Sequence, residues 1–263
     1  EIKVKRLNTE LEAKVRKRTQ ALAEAKDDAI KHSDIKSAFI SNISHELRTP
    51  LNGVIGTLNI LKREELSDKS RNLVEMMEQS ASNLNLLIND ILDLSKIEAG
   101  KLDLNLKTIN LQLLIERLVE SSAIRAFDKG LNVYLDTSDL NCENVKTDPL
   151  RLTQILNNLI SNAIKFTDKG YIKVIVSSER ISEGTHNLKV KVQDTGIGIA
   201  SSTQGQLFDA FQQASTAISE KFGGTGLGLS ICKQLCQLMD GDISVSSTLN
   251  QGSVFTFNIK VRC

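Results

Sequence analysis

The sequence predicts an antiparallel helical hairpin that forms a dimeric four-helix bundle, followed by an α/β sandwich domain. Two observations predict this order: apolar residues recur every three or four positions as far as Ile97, and short alternating segments follow Gly100. The 263 residues suffice for two folded units of ~100–200 residues each. We therefore divide the chain into a coiled-coil helix at 1–38, the helical hairpin at 39–100 and the α/β domain at 101–263.

Charge and composition exclude several classes of protein. The chain has 33 Lys+Arg against 32 Asp+Glu, so it lacks the basic excess that binding to nucleic acid requires. No apolar run approaches the ~20 residues of a membrane span, and we expect none in this fragment. The 4 cysteines include no CxxC pair, which indicates a reducing compartment.

Residues 1–38 are rich in charge and contain neither Gly nor Pro. A heptad pattern places mostly apolar residues on one seam, which predicts a parallel coiled coil. The seam residues are Val4, Leu11, Val15, Leu22, Ala25, Ala29, Phe39 and Ile43. Arg18, His32 and Lys36 also fall on the seam, so a solvated single helix is the alternative. The pattern begins in mid-helix at Glu1, and we expect the chain to be a piece of a longer protein.

Two sharper apolar stripes follow, separated by a polar turn at 62–70. The first comprises Ile40, Ile43, Leu47, Leu51, Val54, Leu58 and Leu61, and the second Leu73, Met77, Ala81, Leu84, Ile88 and Ile91. One hairpin buries only part of such faces, and a pair of hairpins forms a four-helix bundle. The sequence therefore predicts a homodimer.

The succession of alternating and helical segments after Gly100 predicts a sheet covered by helices on one face. Helices are predicted at 111–128, 149–166 and 227–239. Strands are predicted at 102–110, 131–136, 171–178, 188–193, 242–247 and 253–261.

His45 is the first candidate functional residue, because its position on the first predicted helix is opposite to the apolar stripe. It stands two positions from the stripe residues on either side, and at ~100° per residue each step of two turns about 200°. An imidazole facing solvent can act as a nucleophile toward a phosphoryl group. Glu46 can hold one ring nitrogen, and Thr49 lies one turn on, although both also fit an ordinary helix surface. Pro50 predicts a bend after His45.

These residues lie in segment 39–52, FISNISHELRTPLN, which resembles the H-box of sensor histidine kinases. The resemblance implies that His45 is autophosphorylated and that Glu46 assists proton transfer. It also implies that Thr49 serves in phosphatase activity.

A second group of candidates lies on the predicted helix at 149–166. Asn158, Asn162 and Lys165 recur at spacings of 4 and 3, so they share one face. Two amide carbonyls and an ammonium suit a hydrated Mg²⁺ ion and a polyphosphate. A polar face exposed to solvent is the alternative.

Two glycine-rich segments complete the candidate nucleotide site. In DTGIGI at 194–199, glycines allow close approach to a ligand, and the carboxylate of Asp194 can accept from the exocyclic amine of adenine. GGTGLGLS at 223–230 opens a predicted helix, where free N–H groups attract phosphates. Plain turns are the alternative for both segments. The long stretch between them predicts a lid, with Phe208 and Phe211 as apolar anchors.

In this order, the three segments resemble the N, G1, F and G2 boxes of the ATP-binding domain shared by histidine kinases, gyrases, heat-shock chaperones and mismatch-repair ATPases. The resemblance implies that Asp194 contacts adenine, that Asn162 ligates Mg²⁺ and that Lys165 meets phosphate. The nucleotide-binding candidates are Asn158, Asn162, Lys165, Asp194, Gly196, Gly198, Phe211, Lys221, Gly224, Gly226, Leu227 and Gly228. Hydrolytic relatives carry a Glu where this chain has Asn158, which favours transfer to His45 over hydrolysis.

The resemblance as a whole implies an ATP-dependent protein-histidine kinase of a two-component system. His45 would pass its phosphoryl group to an Asp of a response regulator or of a fused receiver domain, since KIEAGKLDL at 96–104 resembles hybrid sensor kinases. We expect the chain to be the cytoplasmic portion of a sensor anchored in the bacterial inner membrane. Two alternatives are a dimeric scaffold acting as a regulator-binding module or phosphatase, and an ATPase clamp of the chaperone or topoisomerase kind.

Four remaining residues receive structural interpretations. His32 and His186 are interpreted as ordinary surface residues. Cys232 and Cys236 stand one helical turn apart with no third ligand apparent, so buried packing is favoured over metal binding.

Overall fold

The computed structural model describes the backbone of residues 2–210 and 226–263. Within the first helix, it describes the side chains of residues 16–20, 35, 36 and 38 onward. The chain forms two compact units, residues 1–102 and 103–263. The side chains of most of the predicted coiled-coil seam lie outside the described part of the structure, as do the predicted site residues Phe211, Lys221 and Gly224.

The first unit is a hairpin of two helices, α1 (Ile2–Leu61) and α2 (Asp68–Glu98). Ser67 caps α2, because its side chain accepts from the backbone N–H of Ser70. The helices are antiparallel, since Lys36 contacts Glu98 near one end and Lys62 contacts Glu78 at the other. α1 continues through Pro50, as the apolar stripe from Ile40 to Leu61 predicts.

Only a minority of each apolar stripe is buried within the hairpin. Leu51, Ala81 and Ile88 form its core, with Ile55 and Leu92 packed against them. A second row on each helix, repeating every seven residues, faces outward. Its members and their exposed fractions are Leu47 46%, Val54 46% and Leu61 39% on α1, and Met77 53%, Leu84 45% and Ile91 38% on α2. This outward row is hereafter called the exposed heptad row.

The second unit is a mixed sheet with helices against it. Its strands are β1 (Lys107–Asn110), β2 (Asn132–Asp139), β3 (Asn144–Thr147), β4 (Tyr171–Ser182), β5 (Thr185–Asp194), β6 (Asp242–Thr248) and β7 (Gly252–Arg262). Its helices are α3 (Leu111–Asp128), α4 (Pro149–Phe166), the short α5 (Ser201–Gln204) and α6 (Gly228–Leu238). A helical hairpin followed by an α/β domain confirms the predicted order of helical and α/β regions.

The sheet order is β1-β3-β7-β5-β4-β2, and β6 also pairs with β7. β2 and β4 are parallel, whereas every other described pair is antiparallel. The register of β4, β5 and β7 places Ile172, Asp194 and Ser253 side by side at one end of the sheet. The β4–β5 turn therefore lies at the other end, where Thr185 pairs with Arg262.

α4 is the helix at the centre of this unit, and six of its apolar side chains are buried. They are Leu152, Ile155, Leu156, Leu159, Ile160 and Ala163. Asp148 caps the helix by accepting from the backbone N–H groups of Leu150 and Arg151, and Pro149 needs no such partner. The buried face packs toward β4 and β5, which leaves the polar face of α4 on the other side.

Two strand predictions need correction. The predicted strand at 102–110 is a strand only from Lys107 to Asn110, because its first half has no ladder partner among the described residues. β3 is not predicted from the sequence, because its four residues are too few to show a clear alternation of buried and exposed positions. Among the described helices, none has a segment apolar enough to cross a bilayer.

Candidate functional site

His45 lies on α1 with its imidazole exposed. Its neighbour Ser44 is 4% exposed and donates its hydroxyl to the Ile40 carbonyl, so the buried side of this turn is occupied by serine. Glu46 and Thr49 are exposed as well. The histidine is therefore open to a reactant from solvent.

The turn that follows His45 is held by two side-chain hydrogen bonds. Thr49 Oγ1 donates to the His45 carbonyl oxygen at 3.2 Å. Arg48 Nη2 donates to Asn89 Oδ1 of α2 at 3.1 Å, and this bond connects the two helices of the hairpin beside His45. The Thr49 hydroxyl keeps its oxygen lone pairs as acceptors while its proton is used within the helix.

Asp194 ends β5 and is 6% exposed. Its Oδ1 accepts from the backbone N–H of Gly196 at 2.8 Å and from that of Ser253 at 3.2 Å. Burial raises the pKa of this carboxyl group above its ordinary value, and the hydrogen bonds from Gly196 and Ser253 offset part of that increase. A buried carboxyl group oriented by two backbone donors can recognise a ligand's N–H groups with fixed geometry.

The loop after Asp194 approaches the end of α4 closely. A Cβ on Gly196 would stand 2.3 Å from the Phe166 carbonyl oxygen, and Ile197 N–H donates to the same oxygen at 3.2 Å. Gly198 has φ +64°, a conformation that favours glycine. The two glycines thus allow the loop to pack against the end of α4.

Asn158 and Asn162 form a connected pair on the polar side of α4. Asn162 Nδ2 donates to Asn158 Oδ1 at 3.0 Å, which leaves Asn162 Oδ1 as the outward acceptor of that amide. A Cβ on Gly228, at the first turn of α6, would stand 2.0 Å from Asn158 Nδ2. α6 therefore approaches α4 directly beside the two amides.

Lys165 is on the last turn of α4, with its Nζ 4.9 Å from the centre of the Phe166 ring. Burial lowers the pKa of its ammonium group. At the same helix end, Lys129 Nζ donates to the carbonyl oxygens of Ile164 and Lys165. That second lysine satisfies the helix C-terminus.

α6 begins at Gly228 behind Leu227, which is 1% exposed and contributes no side-chain cap. The first backbone N–H groups of a helix have no partner within it, and they carry the positive end of the helix dipole. Gly226, with φ +69°, brings the chain into this helix start. The geometry suits an anionic group near the Asn158–Asn162 pair.

The structure thus brings together the described parts of all three segments predicted to form the nucleotide site. The loop of Asp194, Gly196 and Gly198 packs against the C-terminal end of α4, and the α6 start packs against Asn158. Ser253 is a participant that sequence reasoning missed. Its only signal is a position after Gly252, and its backbone reaches Asp194 through the β5–β7 register.

The close approach of α6 to Asn158 yields a first prediction. We expect Gly228→Ala to reduce the affinity for ATP about tenfold, because the new methyl group displaces Asn158 and with it Asn162. Isothermal titration with a non-hydrolysable ATP analogue measures the effect. Gly205→Ala is the matched control, because a Cβ placed at Gly205 would have no atom within 4 Å among the described residues. Equal affinities for the two variants would contradict the predicted role of this contact.

Two family models match the chain. Residues 35–100 match the His Kinase A (phospho-acceptor) domain. Residues 147–262 match the histidine kinase-, DNA gyrase B- and HSP90-like ATPase domain. The first match covers His45, and the second covers the α4, Asp194 and α6 region.

Among curated proteins, the signal transduction histidine-protein kinase BarA of Escherichia coli K12 is 46% identical over 237 residues, covering 90% of this chain and 26% of the relative. The sensor protein GacS of Pseudomonas syringae is 45% identical over 241 residues, again covering 90% of this chain and 26% of the relative. The chain thus spans about a quarter of these relatives.

Two solved structures are also similar to this chain. Full-length ShkA in complex with AMPPNP matches with a TM-score of 0.68 and 32% identity, over 84% of this chain and 45% of that one. The histidine kinase AdeS of Acinetobacter baumannii matches with a TM-score of 0.56 and 28% identity, over 82% of this chain and 96% of that one.

Proposed function

Since the chain belongs to the sensor histidine kinase family and contains its phospho-acceptor and ATPase domains, we propose that it transfers the γ-phosphoryl group of ATP to His45. The observation that carries this proposal is the exposed imidazole of His45 within the phospho-acceptor domain. The second domain supplies a separate nucleotide pocket around Asp194. The phospho-acceptor match also disfavours the ATPase clamp that the sequence left open.

Transfer proceeds by attack of a neutral ring nitrogen of His45 on the γ-phosphorus. The bond from that phosphorus to the β,γ-bridging oxygen breaks, and ADP leaves. The ring must also lose a proton, and the adjacent carboxylate of Glu46 is the base proposed to accept it. The protein's contribution is mainly the positioning of the two reactants.

ATP fits the groups around Asp194 and α4. The buried Asp194 carboxylate accepts from the adenine amine, Lys165 attracts phosphate, and the start of α6 places N–H groups toward the phosphates. Asn162 is the proposed ligand of Mg²⁺, because its bonded partner Asn158 orients the amide with Oδ1 available. When bound, Mg²⁺ neutralises charge on the phosphates. Gly224, Lys221 and Phe211 remain proposed parts of the lid.

A homodimer is the proposed assembly, and the exposed heptad row is its interface. Rows of apolar residues on both α1 and α2, 38–53% exposed, match the inner face of a four-helix bundle made from two hairpins. Burying that row in a second hairpin removes apolar surface from water, at about 25 cal/mol per Å².

The interface predicts a change in oligomeric state. We expect Leu84→Glu to convert the dimer to a monomer at micromolar concentration, because the interface would bury an unpaired carboxylate. Light scattering coupled to size exclusion measures the mass. Leu86→Glu is the matched control: Leu86 is 60% exposed and lies two residues away, about 200° around α2. A monomeric wild type, or a dimeric Leu84→Glu, contradicts this interface.

The phosphoryl acceptor that follows His45 is proposed to be an Asp of a response regulator or of a receiver domain fused in the full-length protein. Thr49 is proposed to serve the reverse reaction, removal of phosphate from that Asp. A cytoplasmic location, as part of a membrane-anchored sensor, is proposed from the family resemblance.

Phosphotransfer tests the function as a whole. The labelled chain is expected to lose its phosphate when a purified receiver domain is added, but not when the receiver's acceptor Asp is replaced by Asn. Thr49→Ala should retain autophosphorylation while dephosphorylation of the receiver slows. If the label stays on the chain with every receiver, the proposed transfer is wrong; if Thr49→Ala dephosphorylates normally, the role of Thr49 is wrong.

A further inference from the structure

A second cluster of reactive side chains lies in the ATPase unit, away from the nucleotide pocket. Cys142, His186 and Cys263 each offer one ligand atom, and these three atoms lie within 4.8 Å of one another. The structure joins the two cysteines as a disulfide, with Cα atoms 6.1 Å apart. His186 stands eight positions from Asp194 on β5, about 26 Å along the strand. The cluster is therefore at the far end of the sheet.

His186 differs from the surface residue that its sequence context indicated. It is half-buried, and its Nδ1 atom is buried with no hydrogen-bond partner among the residues that the structure describes. A disulfide uses two sulfurs and leaves this buried ring nitrogen unsatisfied, which is unfavourable for a polar atom. A purely structural disulfide therefore gives the His186 side chain no role.

The backbone on all three sides is fixed by the sheet. Cys263 N–H donates to the Gly184 carbonyl oxygen at 3.0 Å, so the end of β7 is held beside the β4–β5 turn. Asn141 N–H donates to Ser178 Oγ at 2.8 Å, and Asn141 Nδ2 donates to the Ser178 carbonyl oxygen at 3.1 Å. These bonds hold the β2–β3 connection, with Cys142, against β4. The three side chains converge without any need for the backbone to move.

We propose that Cys142, His186 and Cys263 of the reduced protein form a binding site for a thiophilic divalent cation of the Zn²⁺ class. Thiolate and imidazole are the ligands that Zn²⁺ prefers. Two thiolates balance its charge, which suits a site where Cys142 is 8% exposed. Zn–S bonds of about 2.3 Å require the sulfurs to stand about 3.8 Å apart, so the two sulfurs must separate from their bonded distance when the cation binds. A fourth position stays open to water on the exposed side, at Cys263.

The site forms in two balanced steps. Two molecules of a low-molecular-weight thiol reduce the disulfide to two cysteine thiols and become one oxidised disulfide. Binding of the cation then displaces the two thiol protons into solvent. The bound cation connects the β2–β3 connection, β5 and the end of β7, so it stabilises this edge of the domain. This inference stands independently of the phosphoryl transfer proposed above.

Titration of the reduced chain with Co²⁺, a spectroscopic substitute for Zn²⁺, tests the site. The 263-residue protein is reduced with a phosphine, desalted without oxygen and checked for its 4 thiols in denaturant. We expect one equivalent of Co²⁺ to give thiolate-to-cobalt charge transfer and tetrahedral d–d bands, which Zn²⁺ abolishes. Zn²⁺ should also raise the thermal midpoint of unfolding.

Variants assign the ligands. Cys142→Ser and Cys263→Ser should lose the charge-transfer band, and His186→Ala should weaken binding at least tenfold while its metal-free melting curve stays near wild type. Cys232→Ala, in α6, is the control that retains binding. Absence of stoichiometric binding, unchanged affinity in His186→Ala, or a thiol count of two that resists the reductant would each overturn the proposal. The last result would make the pair a permanent disulfide.

Discussion

His45→Gln is expected to abolish incorporation of phosphate from γ-labelled ATP. Glutamine keeps polar atoms at this exposed position of α1 but offers no nucleophilic ring nitrogen. Because the nucleotide residues all belong to the second unit, the affinity for ATP should stay at the wild-type value. Filter binding of the labelled protein and titration with an ATP analogue measure the two quantities separately.

The matched control for this variant is His186→Gln. That histidine lies at the end of the sheet opposite to Asp194, so its labelling should equal that of the wild type. Retained label in His45→Gln would show that another residue accepts the phosphoryl group. Loss of label in both variants would point to a general loss of the folded state, which a melting curve detects.

Asp194→Asn is expected to weaken ATP binding about 100-fold and to leave the dimer intact. The amide cannot accept from the adenine amine with the strength of a carboxylate, and one of its atoms becomes an additional donor in a buried site. Titration with an ATP analogue measures affinity, and light scattering measures mass. Asp139→Asn is the control, since Asp139 is exposed at the opposite end of β2. A monomeric Asp194→Asn would show that this residue belongs to the dimer interface instead.

The same carboxyl group gives ATP binding a pH dependence. Burial raises the pKa of Asp194, and the ionised carboxylate accepts from the adenine amine more strongly than the protonated carboxyl group does. The ratio of wild-type to Asp194→Asn affinity should therefore shrink as the pH falls through that raised pKa. It should do so at a higher pH than an exposed aspartate would require.

Local signals explain why parts of the fold were predictable. The cap of Asp148 and the proline after it define the start of α4, so the predicted range 149–166 equals the observed Pro149–Phe166. The alternation at 102–110 reports a half-buried extended chain, but it does not report whether a partner strand exists. Leu102 is buried, yet pairing begins only at Lys107.

Contacts between distant segments explain what the sequence could not predict at the sites. The Asp194–Ser253 bond depends on the register of β5 with β7, and Gly228 meets Asn158 through helix packing. Cys142 and Cys263 are 121 residues apart, and their proximity depends on the sheet order. This disulfide also departs from the reducing environment that the cysteine pattern indicates. In contrast, Cys232 and Cys236 are buried in α6, as their spacing predicts.

Phosphorylation of His45 is tested most directly by identifying the atom that carries the phosphate after incubation with ATP and Mg²⁺. Trypsin releases His45 in the peptide 37–48, SAFISNISHELR, which also contains three serines. The label is expected to lie in this peptide, to be lost in mild acid and to survive base, as a phosphohistidine does. An acid-stable phosphate on one of the serines, or a label confined to another peptide, would contradict it.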